Sequence, residues 1–118
     1  MTRRTKPNTY FDFGYGMVAA HRHPNGGGWV ADTASVEDGV YVGPNALVYE
    51  HAKIHGNVLF SQNRYIVVYP KISDNSRVHG NAVVYGNSRI SDDAEVAGNS
   101  RVAGQDIWIR GNTKLFDT

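Results

Sequence analysis

Cysteine is absent from this chain, so neither disulfides nor thiolate metal sites can hold it together. Proline is scarce, and no apolar run approaches the roughly 18–20 residues of a membrane span or looks like a secretory core. The expectation is a cytoplasmic protein, or a virion component, with no membrane partner. An excess of one charge is also missing. The 12 Lys and Arg are matched by 11 Asp and Glu, which gives no bulk electrostatic case for nucleic acid as a partner. Gly26-Gly27-Gly28 precedes a strand-like segment rather than a helix, so it is no phosphate cradle. No nucleophile elbow or paired-carboxylate site is present, Asp92-Asp93 reads as an ordinary turn, and no cofactor is expected.

What the chain does have is a period of six. Val30, Val36, Val42, Val48, Ile54, Phe60, Ile66, Ile72, Val78, Val84, Ile90, Val96, Val102 and Trp108 follow one another at that spacing without a miss. A fixed short period of large apolar residues is the mark of stacked units, each burying one anchor. Six residues are too few for a helix with its connection, and the anchors are mostly β-branched, so each unit is a short strand and a corner. Two residues before the anchors stand mostly small side chains: Ala34, Val40, Ala46, Ala52, Val58, Ser76, Ala82, Ser88, Ala94 and Ser100. Gly-Asn pairs at 56–57, 80–81, 86–87, 98–99 and 111–112 supply turn residues that tolerate unusual backbone angles.

These residues resemble the hexapeptide-repeat family, and Val78-His79-Gly80-Asn81-Ala82, Val84-Tyr85-Gly86-Asn87-Ser88 and Gly26-Gly27-Gly28-Trp29-Val30-Ala31 look most like small phage and prophage repeat proteins. The resemblance implies an all-β fold, a left-handed parallel β-helix of between four and five triangular coils. Its handedness comes from the resemblance alone, since parallel crossovers are otherwise nearly always right-handed. Residues 1–28 break the pattern and carry Tyr10, Phe11, Phe13, Tyr15, Met17 and Val18, which suits an N-terminal cap over the first coil. Residues 29–113 form the β-helix, and 114–118 a C-terminal tail in which Lys114, Leu115 and Phe116 offer a small lid.

Three hexads per coil put residues 18 apart on one wall. Trp29, Leu47, Tyr65 and Val83, with Tyr49, Val67 and Tyr85 in the neighbouring column, then form one apolar outer face, read as a protein interface for a partner or for a homo-oligomer such as a trimer. The alternative is that residues 1–28 cover this wall. A second wall carries Lys53, Lys71 and Arg89 with His55 beside them, a possible contact for a phosphate backbone or an acidic partner, against the reading of a solvated basic edge. Between Leu59 and Lys71 the corners fail while the anchors persist. Either one coil is apolar on both faces, or residues 61–64 loop out and the register there is accidental.

Hexapeptide-repeat carbonic anhydrases would need three histidines at a subunit boundary. Ile54-His55-Gly56 matches one ligand place, but Glu50 stands at another, and His79 is expected on a different wall. His21 and His23, one residue apart, could hold a metal around a threefold axis, or lie in a surface turn before the first coil. No metal site is expected. Hexapeptide acyltransferases usually carry a helix, a protruding loop and a C-terminal extension that are not recognisable here. The reading is a rigid non-enzymatic protein-binding or assembly module. It would act as a phage accessory protein that blocks a host defence factor, as a trimeric phage particle or tail component, or, as the enzymatic alternative, as an acyltransferase.

Overall fold

The computed structural model describes residues 9–103 and 105–117, with the side chains of all but 59–61, 105–106 and 117. It is all-β, with no helix among the described residues and with mostly parallel pairing. β1 (Tyr10–Asp12) and β2 (Met17–Arg22) form an antiparallel hairpin, and β2 runs antiparallel along β3 (Trp29–Ala31). From β3 onward the chain deals short strands to three parallel sheets in rotation. β3 lies in sheet I, β4 (Ser35–Val36) in sheet III and β5 (Tyr41–Val42) in sheet II. β6 (Leu47–Val48) returns to sheet I and β7 (Lys53–His55) to sheet III.

The rotation then pauses for an antiparallel hairpin, β8 (Asn57–Ser61) and β9 (Arg64–Val68). It resumes with β10 (Lys71–Ile72) in sheet II, β11 (Arg77–Val78) in sheet I and β12 (Val83–Tyr85) in sheet III. β13 (Asn87–Ile90), β14 (Glu95–Gly98) and β15 (Arg101–Val102) repeat that order, and β16 (Gln105–Ile109) and β17 (Lys114–Asp117) close sheets II and I.

Anchors from all three sheets meet in one core. Val30, Val48, Val78 and Val96 come from sheet I, Val42, Ile72 and Ile90 from sheet II, and Ile54, Val84 and Val102 from sheet III. Most of the residues two places earlier are buried with them, among them Val40, Ala46, Ala52, Ser76, Ala82, Ser88, Ala94 and Ser100. Where serine takes this place its hydroxyl is satisfied locally: Ser76, Ser88 and Ser100 each donate to the carbonyl three residues back. Several corners are tied to the next round by a carboxylate. Glu37 accepts the Gly56 N–H at 2.8 Å, Glu50 that of Gly80 at 2.9 Å, Asp74 that of Asp92 at 3.1 Å and Asp92 that of Gly111 at 3.0 Å.

Two expectations from the period are corrected. The hairpin at 57–68 leaves the rotation altogether, so partners across it are thirty residues apart: Val48 pairs with Val78, Val42 with Ile72 and Ile54 with Val84. Its twelve residues equal two repeats, which is why the spacing continues undisturbed through it. Ile66 is therefore no anchor and is 41% exposed, while the side chain of Phe60 lies outside the described residues.

The second correction is at the C-terminal end. A register shift between Asn87 and Ser88 in the β13–β16 pairing sets Ile109, not Trp108, opposite Ile90. Trp108 turns outward and Ile109 packs on the core. A one-residue slip flips every side chain of a strand to the other face. Residues 114–117, expected as a tail, pair along β14, and Leu115 packs on the core.

Candidate functional site

The outer face of sheet I is already occupied. In the register Trp29, Leu47, Arg77, Glu95, Lys114 and the parallel column Ala31, Tyr49, His79, Ala97, Phe116, the first two rounds are apolar. The β1–β2 hairpin lies over them. Phe11 stacks on Trp29 at 4.8 Å, Phe13 on Tyr49 at 4.8 Å, and Phe11 meets Phe13 edge-on at 4.7 Å. Phe13, Ala20, Ala31 and Tyr49 are buried as a second apolar cluster, with Trp29 and Leu47 packed on it. The expected interface residues Trp29, Leu47 and Tyr49 thus face this chain's own N-terminal segment. Residues 1–8 of the expected cap lie outside the described residues.

The remaining members of that expected wall go elsewhere, because the 57–68 excursion shifts the rotation. Val83 and Tyr85 stand on sheet III, where Tyr85 stacks on His55 at 4.9 Å. Tyr65 and Val67 stand on the β8–β9 hairpin. There Val58 pairs with Val67, and Tyr65 shares their face by alternation. These three are 57%, 48% and 74% exposed. The turn between the strands holds Gln62 at φ 51° and Asn63 at φ 63°, the left-handed pair that a two-residue hairpin turn requires. At the base of the hairpin, the ring of Tyr69 closes over Gly39 and Gly56, where no Cβ would fit.

The expected basic row is divided between two sheets. Lys53 and His55 belong to sheet III, where Lys53 pairs with Ser35 and Val83. Lys71 and Arg89 belong to sheet II, in a column that reads Tyr41, Lys71, Arg89, Trp108. The Lys71 ammonium sits 5.7 Å from the Tyr41 ring, and the Arg89 and Arg110 guanidinium groups 5.9 and 4.3 Å from the Trp108 ring. The Trp108 indole N–H donates to Ser91 Oγ at 2.8 Å, while the ring remains 51% exposed. None of the ion pairs among described residues involves Lys71, Arg89 or Arg110.

Two open cavities adjoin along this column. One, of about 170 Å³, is lined by Asn87, Arg89, Ile107 and Trp108. The other, of about 280 Å³, runs from Lys71 and Arg89 past Ser73 and Ser91 to Asp74, Asp92 and Trp108.

The histidines have structural partners. His23 is buried and donates from Nε2 to the Val40 carbonyl at 2.7 Å, and His21 pairs with Asp32 at 2.7 Å, so the two diverge. His79, expected on a different wall from His55, sits on sheet I between Glu50 at 3.2 Å and Glu95 at 2.5 Å. Burial alone would push the Glu95 carboxyl up, but the His79 and Lys114 bonds and charges outweigh it and hold the group below the usual glutamate value. Burial raises the Tyr49 phenol above its usual value against the opposing effect of Arg77. No group of three or more candidate ligands suited to a metal ion occurs among the described residues.

Sequence reasoning missed Trp108 and Arg110 as surface residues. The signal for Trp108 was present. Gly-Asn falls two residues after Ile54, Val78, Val84 and Val96, and the same rule applied to Gly111-Asn112 selects Ile109 as the anchor. No helix among the described residues is long and apolar enough to cross a membrane. Compared with protein-family models, with curated proteins and with solved structures, the chain finds no match in any of the three.

Proposed function

We propose that this chain is a left-handed parallel β-helix of the hexapeptide-repeat type, that it is a non-enzymatic assembly module, and that it joins a second copy of itself through the β8–β9 hairpin. The rotation of strands among three parallel sheets around one core supports the architecture, and the left hand rests on the hexapeptide resemblance. One observation carries the functional reading: a two-stranded hairpin that sets Val58, Tyr65 and Val67 on one exposed face. Two strands alone are marginal in water, and three or more strands with a shared apolar face are needed for independent stability. Face-to-face packing of the hairpins of two copies covers that face, and a twofold contact is self-complementary by construction. The rest of the body is a rigid base, so little conformational freedom is lost on docking.

The test is light scattering on a size-exclusion column. The expected mass is twice the 13.0 kDa of the chain, falling to that of a single chain when residues 57–68 are replaced by Gly-Gly or when Val58 and Val67 are both changed to Asp. A monomeric wild-type protein, or a dimer that persists in the folded double variant, refutes the assignment.

A further inference from the structure

We propose that the groove along sheet II binds an anionic saccharide, a sugar ring carrying a carboxylate or a sulfate. The groove holds three kinds of group in one short row. Trp108 offers an apolar plate: its only N–H is committed to Ser91 and the Arg110 guanidinium lies over the ring at 4.3 Å, yet the residue is 51% exposed, so what remains open is ring surface for stacking rather than a donor. Lys71 and Arg89, neighbours in register about 4.8 Å apart by strand spacing, offer donors with no carboxylate partner among the described residues. Asp74 and Asp92 offer acceptors, each with one oxygen engaged by a backbone N–H of the next round.

This combination separates the ligand classes. A phosphate backbone brings a charge at every link, which Asp74 and Asp92 would repel at close range, and a DNA backbone has no hydroxyl-rich face to donate to them. A neutral sugar would satisfy the aspartates but make no charge-assisted bond to Lys71 or Arg89. A sugar bearing an acidic group uses all three kinds. Its hydroxyls donate to the aspartates, its anion takes the charge-assisted donors of Arg89 and Lys71, and its C–H face lies on the indole. The adjoining volumes of about 170 and 280 Å³ share Arg89 and Trp108 and are open to solvent. Each is below the roughly 300–1,000 Å³ of a pocket that engulfs a drug-sized ligand, so the groove suits rings passing over it in a chain. The site is independent of the hairpin and stands whether or not the protein pairs through it.

The intact chain would be titrated with four probes: a galacturonic acid trimer, a sulfated disaccharide, maltotriose and a thymidine octanucleotide. Binding is followed by tryptophan fluorescence and by the two indole N–H resonances. The half-buried Trp29, stacked under Phe11, serves as the internal reference. The expected result is a saturable shift confined to Trp108 with one or both acidic sugars, the stronger of the two identifying the carboxylate or sulfate source. Maltotriose should bind at least about tenfold more weakly, a difference on the order of one lost charge-assisted contact. In titration calorimetry, which does not use the indole as its reporter, Trp108→Ala should abolish binding, Trp108→Phe restore part of it, and Arg89→Gln weaken it about tenfold or more. Equal or tighter binding of the octanucleotide overturns the proposal. So does wild-type affinity in Arg89→Gln, or no saturable shift with either acidic sugar.

Discussion

His79 lies flat against Tyr49, the two rings 4.5 Å apart and 3° from parallel, while Phe13 covers the other face of Tyr49. One stack therefore runs from the N-terminal hairpin, through sheet I, to a histidine held between glutamates of the rounds before and after its own. It ties the covering segment to the body by ring contact and the rounds to one another by charge.

Breaking that stack should free the β1–β2 hairpin from the body. Phe13→Ala removes a side chain that is 3% exposed, a change that costs about 3–5 kcal/mol in a packed core. Because the loss falls on the covering hairpin, amide exchange in 10–22 should accelerate by orders of magnitude while the anchors of sheets II and III stay protected. Uniform acceleration would mean that the hairpin and body unfold as one unit.

The carboxyl of Glu95 is held below its unfolded value, so its stabilising effect is complete above the unfolded pKa near 4.5 and is lost as pH falls through the lower folded value. Thermal melts of wild type and Glu95→Gln between pH 2 and 7 should therefore differ at neutral pH, with the variant less stable, and converge at the acid end. Parallel curves across that range would remove Glu95 from the acid response.

Ile66 and Ile72 are one period apart in sequence but differ completely in setting, 41% exposed against fully buried. In urea denaturation Ile72→Ala should cost about 2–5 kcal/mol, whereas Ile66→Ala should stay within about 0.5 kcal/mol. Similar losses would place the hairpin back in the core.

The slip at β16 has its own test. Ile109→Asp puts an unpaired charge against the core and should lower the melting temperature sharply. Trp108→Asp, one residue away on the exposed side, should leave it within a few degrees. The reverse order would restore Trp108 to the anchor row.

Much of this was legible in the chain. The period of six marked the anchors, and Val30, Val48, Val78 and Ile72 are fully buried as it requires. The small residues before them marked the corners, where Ala46, Ala82 and Ser76 are fully buried. The N-terminal aromatics were read first as a cap over the first coil, and it is the alternative, a segment lying on the outer wall, that Phe11 and Phe13 follow on Trp29 and Tyr49; the loss of corner residues between Leu59 and Lys71 marked the point where the pattern fails. A period, however, counts residues and not neighbours. An excursion of two whole repeats at 57–68 leaves every spacing intact while moving each later strand to a different sheet, so Tyr49, Tyr65 and Tyr85 separate and Lys53 parts from Lys71.

By itself the sequence determined most of the buried anchors and that the chain is built from short strands, because burial repeats locally with the backbone; Ile66 and Trp108 keep the spacing and are nevertheless exposed. Which outer residues share a face was decided only by the tertiary structure. Neighbours on these sheets are 18, 19 or 30 residues apart in the chain, and one hairpin and one slipped residue are enough to choose between those separations. Tyr41, Lys71, Arg89 and Trp108 become a row for that reason alone: parallel strands bring residues together by register, and register belongs to the fold.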